Sequence, residues 1–421
     1  FAGVLSAYGM GLAEVRALRE IQADCALTDC DLVAANLDAL SAQAEADVRA
    51  QDVSSVTVLR HAHLRTIGAH QTLEVEWSDP DAMRKAFDIA HKNRFGFAPV
   101  GDDVIIDMLS VEAVGDTGEA PTAAPMSQAS ASPKAHVNVR ADGWGTVPLY
   151  DRLELAQGQI IQGPAIISEP TGTNVIEPHW SAALDAQGTL VLTRDTAAIT
   201  TPAAGTDADP ILLEVMSNLF MSVADQMGAT LANTAWSVNI KERYDFSCAI
   251  FDAAGQLVAN APHVPVHLGS MSDSIQTVIR LNTDAGEGDA FVLNSPYRGG
   301  THLPDVTVVT PVFADGKPAY WLGSRGHHAD IGGRAPGSLR PDSSHIDEEG
   351  VLIDCMRLVT RGAFEDAAIR DVLSSATYPA RNLDQNIADL QAQVAANETG
   401  RAALQGIATR YGADVVTAYM A

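Results

Sequence analysis

Two short segments carry the side chains best able to bind a metal or move a proton. The first reads Thr301-His302-Leu303-Pro304-Asp305, the second Arg325-Gly326-His327-His328-Ala329-Asp330. Apolar stretches at 306–313 and 319–322 lie between them and have the pattern of two strands. Neighbouring strands would return the second segment to the sheet edge where the first begins. His302, Asp305 and His327 would then meet. Two neutral imidazoles and a carboxylate form a partial shell for a divalent cation, with positions open to water or substrate. Residues this polar are costly beside apolar strands unless a metal, substrate or partner satisfies them. The alternative is a hydrogen-bonded structural network. Gly299-Gly300 and Gly332-Gly333 flank the two segments and are expected to let the backbone approach a ligand.

Other residues carry weaker signals. His263 and His267, four apart around Pro265, are candidate catalytic groups lining the same cavity; a buried hydrogen-bonded pair is the alternative. His328 and Asp330 are further candidates, orienting the ligands. Arg243 and Asp245 are candidates for holding a substrate carboxylate, against the alternative of an intrachain ion pair. Cys248 sits in an apolar, strand-like context and reads as a packed thiol. His61, His63 and His70 read as solvent-side residues of strands.

Charge narrows the partners. The net charge is −26, from 53 acidic and 27 basic residues, which disfavours nucleic acid and anionic membrane. Hydrophobic residues at 46% and charged residues at 19% fit a globular chain. No run approaches the roughly 20 apolar residues of a membrane helix. Cys25, Cys30, Cys248 and Cys355 form no CxxC pair, which argues against a zinc ribbon and for thiols in a reducing cytoplasm. The start, Phe1-Ala2-Gly3-Val4, has neither Met nor a basic signal region, so a piece of a longer protein is expected.

With 421 residues, two or three domains are expected to position these groups. Helical spacing of Leu32, Leu37, Leu40 and Val48 predicts a helix over 11–50. Strands follow at 56–64 and 71–77, a helix at 82–93 after Ser78-Asp79-Pro80, and a strand at 104–114. This is a small α+β unit, 1–115. Residues 116–135, rich in Ala, Pro, Ser and Thr, read as a linker. Short strands between Gly and Pro turns make 136–200 a small all-β unit. A second linker, 201–208, precedes a mixed unit, 209–421. That unit holds helices at 211–231, 270–281 and 382–411, a hairpin around Asp252-Ala253-Ala254-Gly255, and strands at 290–293, 306–313 and 319–323.

With these segments placed, the chain resembles the hydantoinase/5-oxoprolinase family, whose A-type and B-type components sometimes share one polypeptide. The A-type markers are Ser6-Ala7-Tyr8-Gly9-Met10-Gly11 and Gly163-Pro164-Ala165-Ile166-Ile167-Ser168-Glu169-Pro170. The B-type markers are Lys241-Glu242-Arg243-Tyr244-Asp245-Phe246, His263-Val264-Pro265-Val266-His267-Leu268-Gly269, the two metal-type segments, and Arg381-Asn382-Leu383-Asp384-Gln385-Asn386. The resemblance implies an α+β multidomain architecture. Residues 1–115 and 136–200 would be the C-terminal parts of an A component. Residues 209–421 would be the N-terminal part of a hydantoinase-B-type domain.

The resemblance also implies ATP-dependent hydrolysis of 5-oxo-L-proline to L-glutamate in the cytoplasm, within glutathione metabolism. ATP with Mg would bind an actin-like lobe expected before Phe1; no phosphate-cradling Gly-rich loop appears in the chain. The fragment alone is expected to be inactive. Relatives of the acetone carboxylase branch hold manganese at positions matched here by His302, Asp305 and His327, so a divalent metal, manganese or zinc, is expected. The implied partners are a small lactam, the ATP lobe, the rest of the B component and further copies of the chain. A lactam is a poor electrophile, and phosphorylating its oxygen makes its carbon open to a water activated by a metal or a His. The amides of Gly299-Gly300 or of Gly332-Gly333 would then meet the oxyanion. N-methylhydantoin hydrolysis, acetone-type carboxylation and a non-catalytic structural role are the alternatives.

Overall fold

The computed structural model describes residues 9–10, 13–51, 53–67, 71–99, 103–116, 129–140, 145–186, 188–194, 206, 209–261, 264–314, 316–337 and 340–420. His263, His70 and most of both linkers lie outside these residues. The chain forms two compact units. One comprises 1–14, 53–55 and 116–203, the other 15–52, 56–115 and 204–421. Composition suggested that 1–115 stands by itself; in the structure most of it packs with 204–421. The reason is aromatic. Phe95 and Phe97 are buried in one cluster with Val292, Leu303, Val306 and Leu390, and Phe97 stacks on Phe364 at 5.1 Å.

The larger unit begins with β1 (Val15–Ala26), α1 (Asp31–Arg49), β2 (Ser55–Thr66), β3 (Leu73–Glu76), α2 (Pro80–Phe95) and β4 (Val104–Asp116). The strands form a sheet of order β1-β4-β2-β3. The helix expected over 11–50 is thus a strand followed by a helix. Residues 15–26 are rich in helix formers, yet they pair antiparallel with β4 along the sheet edge, so tertiary pairing overrides local preference. α2 begins where Asp79 caps Ala82 N–H at 3.0 Å and ends at Gly96 in the left-handed conformation.

The smaller unit holds β5 (Ala135–Asn138), β6 (Thr146–Asp151), β7 (Ile161–Gln162), β8 (Ala165–Glu169), β9 (Gly172–Ile176), β10 (Trp180–Leu184) and β11 (Leu190–Arg194). Two sheets, β5-β6-β8-β9 and β11-β10-β7, accompany a core of Leu155, Ile161, Ile167, Ile176 and Leu184.

The remaining elements are α3 (Pro210–Thr234), α4 (Val238–Lys241), β12 (Phe246–Phe251), β13 (Leu257–Asn260), α5 (Pro265–Leu281), β14 (Ala290–Leu293), β15 (Asp305–Ala314), β16 (Lys317–His327), β17 (Met356–Thr360), β18 (Ala363–Phe364), α6 (Asp366–Ser375), α7 (Leu383–Tyr411) and α8 (Ala413–Met420). Their seven strands form an antiparallel sheet of order β13-β12-β16-β15-β14-β17-β18. β15 and β16 are central and covered on both faces, so they read as apolar runs. On one side Met271, Ile275 and Val278 of α5 pack against Phe251, Phe291, Val309 and Trp321. On the other, α3 and α7 cover Tyr320, Leu322 and Val312.

α7 is unusual in burying a polar stripe, Asn386, Asp389, Gln393 and Asn397. Gln393 and Asn397 bond the sheet, while Asp389 accepts from the Trp236 and Ser237 N–H groups between α3 and α4. Gln393 Nε2 donates to Val306 O and Ser324 O, both at 2.9 Å. Asn397 Nδ2 donates to Val308 O at 3.1 Å. A buried amide is tolerable when its donors are used in this way.

Candidate metal centre

The site lies where β15 begins and β16 ends. The antiparallel register places Asp305 opposite His327, so both occupy strand ends at one sheet edge. His302 precedes β15 in a tight turn, with Asp305 N–H donating to His302 O at 3.0 Å. α5 starts at Pro265, earlier than the helix expected from 270, which puts His267 in its first turn.

Four groups converge on the Asp305 carboxylate, which is 2% exposed. His302 Nε2 lies 3.1 Å and His327 Nδ1 2.9 Å from Oδ1, and His267 Nε2 lies 3.2 Å from Oδ2. Thr301 Oγ1 also donates to Oδ2. Ser247 Oγ lies 3.3 Å from His267 Nδ1, behind the ring. Asp245 sits at the rim, its side chain 39% exposed, 3.9 Å from both His267 Nε2 and His327 Nδ1. It follows Tyr244, whose φ of 54° is in the left-handed region that a bulky residue rarely adopts. The Asp245 carbonyl accepts from His327 N–H at 3.0 Å, which ties the rim to the strand end.

Burial alone would raise the Asp305 carboxyl, but hydrogen bonds from His267, His302, His327 and Thr301 outweigh it and hold the group well below the usual carboxylate range. Burial alone would lower His327; the Asp305 carboxylate, then Asp245, reverse this and raise it.

The ligand atoms of His302, Asp305 and His327 all lie within 4.8 Å of one another. Ligands about 2.1 Å from a common ion are separated by about 3.0–3.5 Å, close to the observed nitrogen–carboxylate distances. His302 Nδ1 is buried with no hydrogen-bond partner, so Nε2 is the ring nitrogen with a polar role. Two imidazoles and one anionic oxygen suit manganese, iron or zinc. The residues fit a divalent cation.

Other expected groups are placed differently. His328, next to His327, points to the opposite face and is 1% exposed. Since Gln393 spends its N–H donors on strand carbonyls, its Oε1 accepts from His328 Nε2 at 3.1 Å. Asn386 Nδ2 donates to His328 Nδ1 at 3.1 Å. Burial lowers this imidazole and keeps it neutral, against the opposing pull of Asp389. Asp330 pairs with the Arg381 guanidinium and accepts from its backbone N–H at 2.7 Å. Arg243 is exposed and makes no ion pair among the described residues, with Asp245 or otherwise. The expected roles of His328, Asp330 and Arg243 therefore find no contact with the Asp305 cluster.

The glycines also serve another purpose. A Cβ on Gly299 would lie 2.3 Å from Ser274 N, and one on Gly332 2.4 Å from Tyr378 O. These positions admit close approach of the protein's own backbone. Gly300 N–H donates to Ser295 O at 2.9 Å and is not free to meet an oxyanion. Cys248 is fully buried, which raises its thiol, and His63 is half-buried against Ser110 at 2.9 Å rather than facing solvent.

Arg325 received no role from the sequence. It is fully buried, and all five N–H groups are used. Nε donates to Thr307 Oγ1 at 2.8 Å; Nη1 to His267 O at 3.0 Å and Ser270 Oγ at 2.7 Å; Nη2 to Ser274 Oγ at 2.9 Å and Gly299 O at 2.8 Å. It joins the segments that carry His267, His302, Asp305 and His327. Burial lowers it to about 10, opposed by Asp305. The signal available in sequence was an Arg inside an otherwise apolar strand, since such residues are buried only when fully paired.

A family profile described as Hydantoinase B/oxoprolinase matches residues 209–421. The chain belongs to the hydantoinase/oxoprolinase family. A second profile of this family, described as Hydantoinase/oxoprolinase C-terminal domain, matches 101–194. The chain is 36% identical over its full length to a 5-oxoprolinase of Dictyostelium discoideum, covering 34% of that protein. It is likewise 36% identical to a 5-oxoprolinase of Saccharomyces cerevisiae, covering 35% of it. The chain thus spans about a third of the length of these hydantoinase/oxoprolinase relatives. Among solved structures, an ATP-dependent caprolactamase from Pseudomonas jessenii aligns with a TM-score of 0.45 at 29% identity, over 51% of this chain and 36% of that one.

Proposed function

We propose that residues 209–421 supply the amide-opening half of an ATP-dependent 5-oxoprolinase, which hydrolyses 5-oxo-L-proline to L-glutamate with ATP cleavage. The convergence of His267, His302 and His327 on the buried Asp305 carboxylate carries this reading. The 5-oxoprolinase relatives supply its substrate. ATP and its Mg would be bound by a lobe outside these 421 residues, and the remainder of the B component and further copies of the chain would complete the enzyme. The four cysteines, all free, support a cytoplasmic setting. No helix among the described residues is long and apolar enough to cross a membrane.

His302, Asp305 and His327 would hold a divalent cation, manganese or zinc. Bound there, it supplies Lewis acidity toward the amide oxygen or a water. The chain's own groups do the rest. His267 holds the second Asp305 oxygen, and Ser247 holds His267. Asp245, at the rim 3.9 Å from both imidazoles, adds a second carboxylate charge beside the site. Similarity of half the chain to a caprolactamase β subunit at 32% identity keeps other cyclic amides in view.

The test joins the 421-residue chain to an ATP-binding A-component lobe and measures ATP hydrolysis with 5-oxoproline, N-methylhydantoin, caprolactam or acetone plus bicarbonate. Stimulation by 5-oxoproline, lost in the Asp305→Asn variant, is expected. Stimulation by acetone alone, or activity indifferent to Asp305, overturns the reading.

A further inference from the structure

A cavity of about 270 Å3 lies away from the metal centre, within the larger unit. Its walls come from β2, β3 and α2 on one side and the end of α3, α4 and α7 on the other. The cavity opens to solvent on one side, so a small molecule can enter it without unfolding the walls. Leu73, Phe87, Phe95 and Trp236 provide an apolar and aromatic lining.

Thr66, Gln71, Thr234 and Gln391 add neutral polar groups to the lining, Gln71 and Thr234 donating to the carbonyls of Asn233 and Thr230. The two groups that select a ligand by proton or charge are His91 and Lys241. His91 is 7% exposed. Its Nδ1 lies 3.1 Å from Phe97 O, and a carbonyl only accepts, so the ring proton is on Nδ1. Nε2 is then a bare acceptor on a residue lining the cavity, with no partner among the described residues. Burial among Phe87, Phe95 and Phe97 favours this neutral form. Lys241, exposed, is the second group, and it makes no ion pair among the described residues. Among the described residues no Asp or Glu lines the cavity, although the chain carries 53 acidic residues. A cavity with one ammonium, no carboxylate among the described residues and a bare acceptor on a buried residue is complementary to an anion that also carries a donor.

We propose that this cavity binds a small aromatic carboxylic acid bearing one O–H or N–H group. Its ring packs on Phe87, Phe95 and Trp236, its donor meets His91 Nε2, and its carboxylate meets Lys241. The site is independent of the metal centre, and its test needs no metal and no turnover.

The experiment titrates the 421-residue chain with 4-hydroxyphenylacetate, phenylacetate and 4-hydroxyphenethyl alcohol, followed by protein-observed NMR and calorimetry. 4-Hydroxyphenylacetate is expected to bind with Kd below about 1 mM, and loss of either its hydroxyl or its carboxylate to weaken it about tenfold. Lys241→Gln, at an exposed position, should weaken both carboxylates about tenfold and leave the alcohol unchanged. Ala388→Phe, which fills the cavity, should abolish binding of all three while the far-UV spectrum stays native. The proposal is overturned if no probe binds at about millimolar concentration. It is equally overturned if Lys241→Gln and Ala388→Phe leave binding unchanged, which would mark surface association.

Discussion

His327 and His328 are adjacent in sequence and opposite in consequence. At the end of a strand, consecutive side chains face opposite ways. His327 turns to the Asp305 cluster, where carboxylates raise it and Asp245 opens to solvent. His328 turns to α7, where Asn386 and Gln393 occupy both ring nitrogens and burial lowers it. The same contrast separates Asp305, gathered by three imidazoles, from Asp330, bound to Arg381. A side chain type does not make a site. What matters is whether its polar atoms are already committed to the fold.

The contrast can be broken most directly at Asp305. Asp305→Asn should lower Mn(II) or Zn(II) affinity by more than about a hundredfold, because it removes the anionic ligand. Asp330→Asn should leave affinity within about threefold, since no ligand contact is lost. Metal titration of both variants checks this, and equal losses would refute the division.

Stability should show the reverse order. His328→Phe removes a fully hydrogen-bonded buried ring and strands Asn386 and Gln393, at a cost of about 2–4 kcal/mol. His327→Ala leaves Asp305 its contacts to His267, His302 and Thr301 and should cost less, about 1–2 kcal/mol. Urea unfolding of the metal-free variants measures both.

Titration sharpens the pair. The folded pKa of His327 is raised above 6.5, so its stabilising contribution is present below that pH and lost as pH rises through the folded value. His328 is lowered, so it destabilises the fold as pH falls below 6.5, where the unfolded ring takes the proton. Metal must displace the His327 proton, so affinity should fall up to about tenfold per pH unit below the raised value. Histidine 15N NMR and metal titrations between about pH 5 and 8 follow these signs. The smallest effect expected is at Arg243: Arg243→Ala should change stability by less than about 0.5 kcal/mol, as for other exposed positions, and leave metal affinity unchanged.

Much of the site was legible in the residues themselves. An apolar run broken near Gly316, flanked by His-x-x-Asp and Arg-Gly-His-His, reads as an antiparallel pair, and that pair brings Asp305 opposite His327. A helix start was legible at Asp79-Pro80, where cap and proline are local signals. Other features depend on partners distant in sequence. β1 is a strand because β4 lies beside it. Residues 56–115 join 204–421 because Phe95 and Phe97 enter a shared core.

The sequence alone determined which residues could bind a metal and that two strands would carry them, because side-chain chemistry and a period of two are local properties. Only the tertiary structure decided which of those residues remain available. The amides of α7 claimed His328, Arg381 claimed Asp330, and the backbone claimed the glycines. Arg325 became the common tie of the site for the same reason. A buried polar atom must find its partner wherever the fold brings one, and hydrogen-bond partners across the fold leave no periodicity to read.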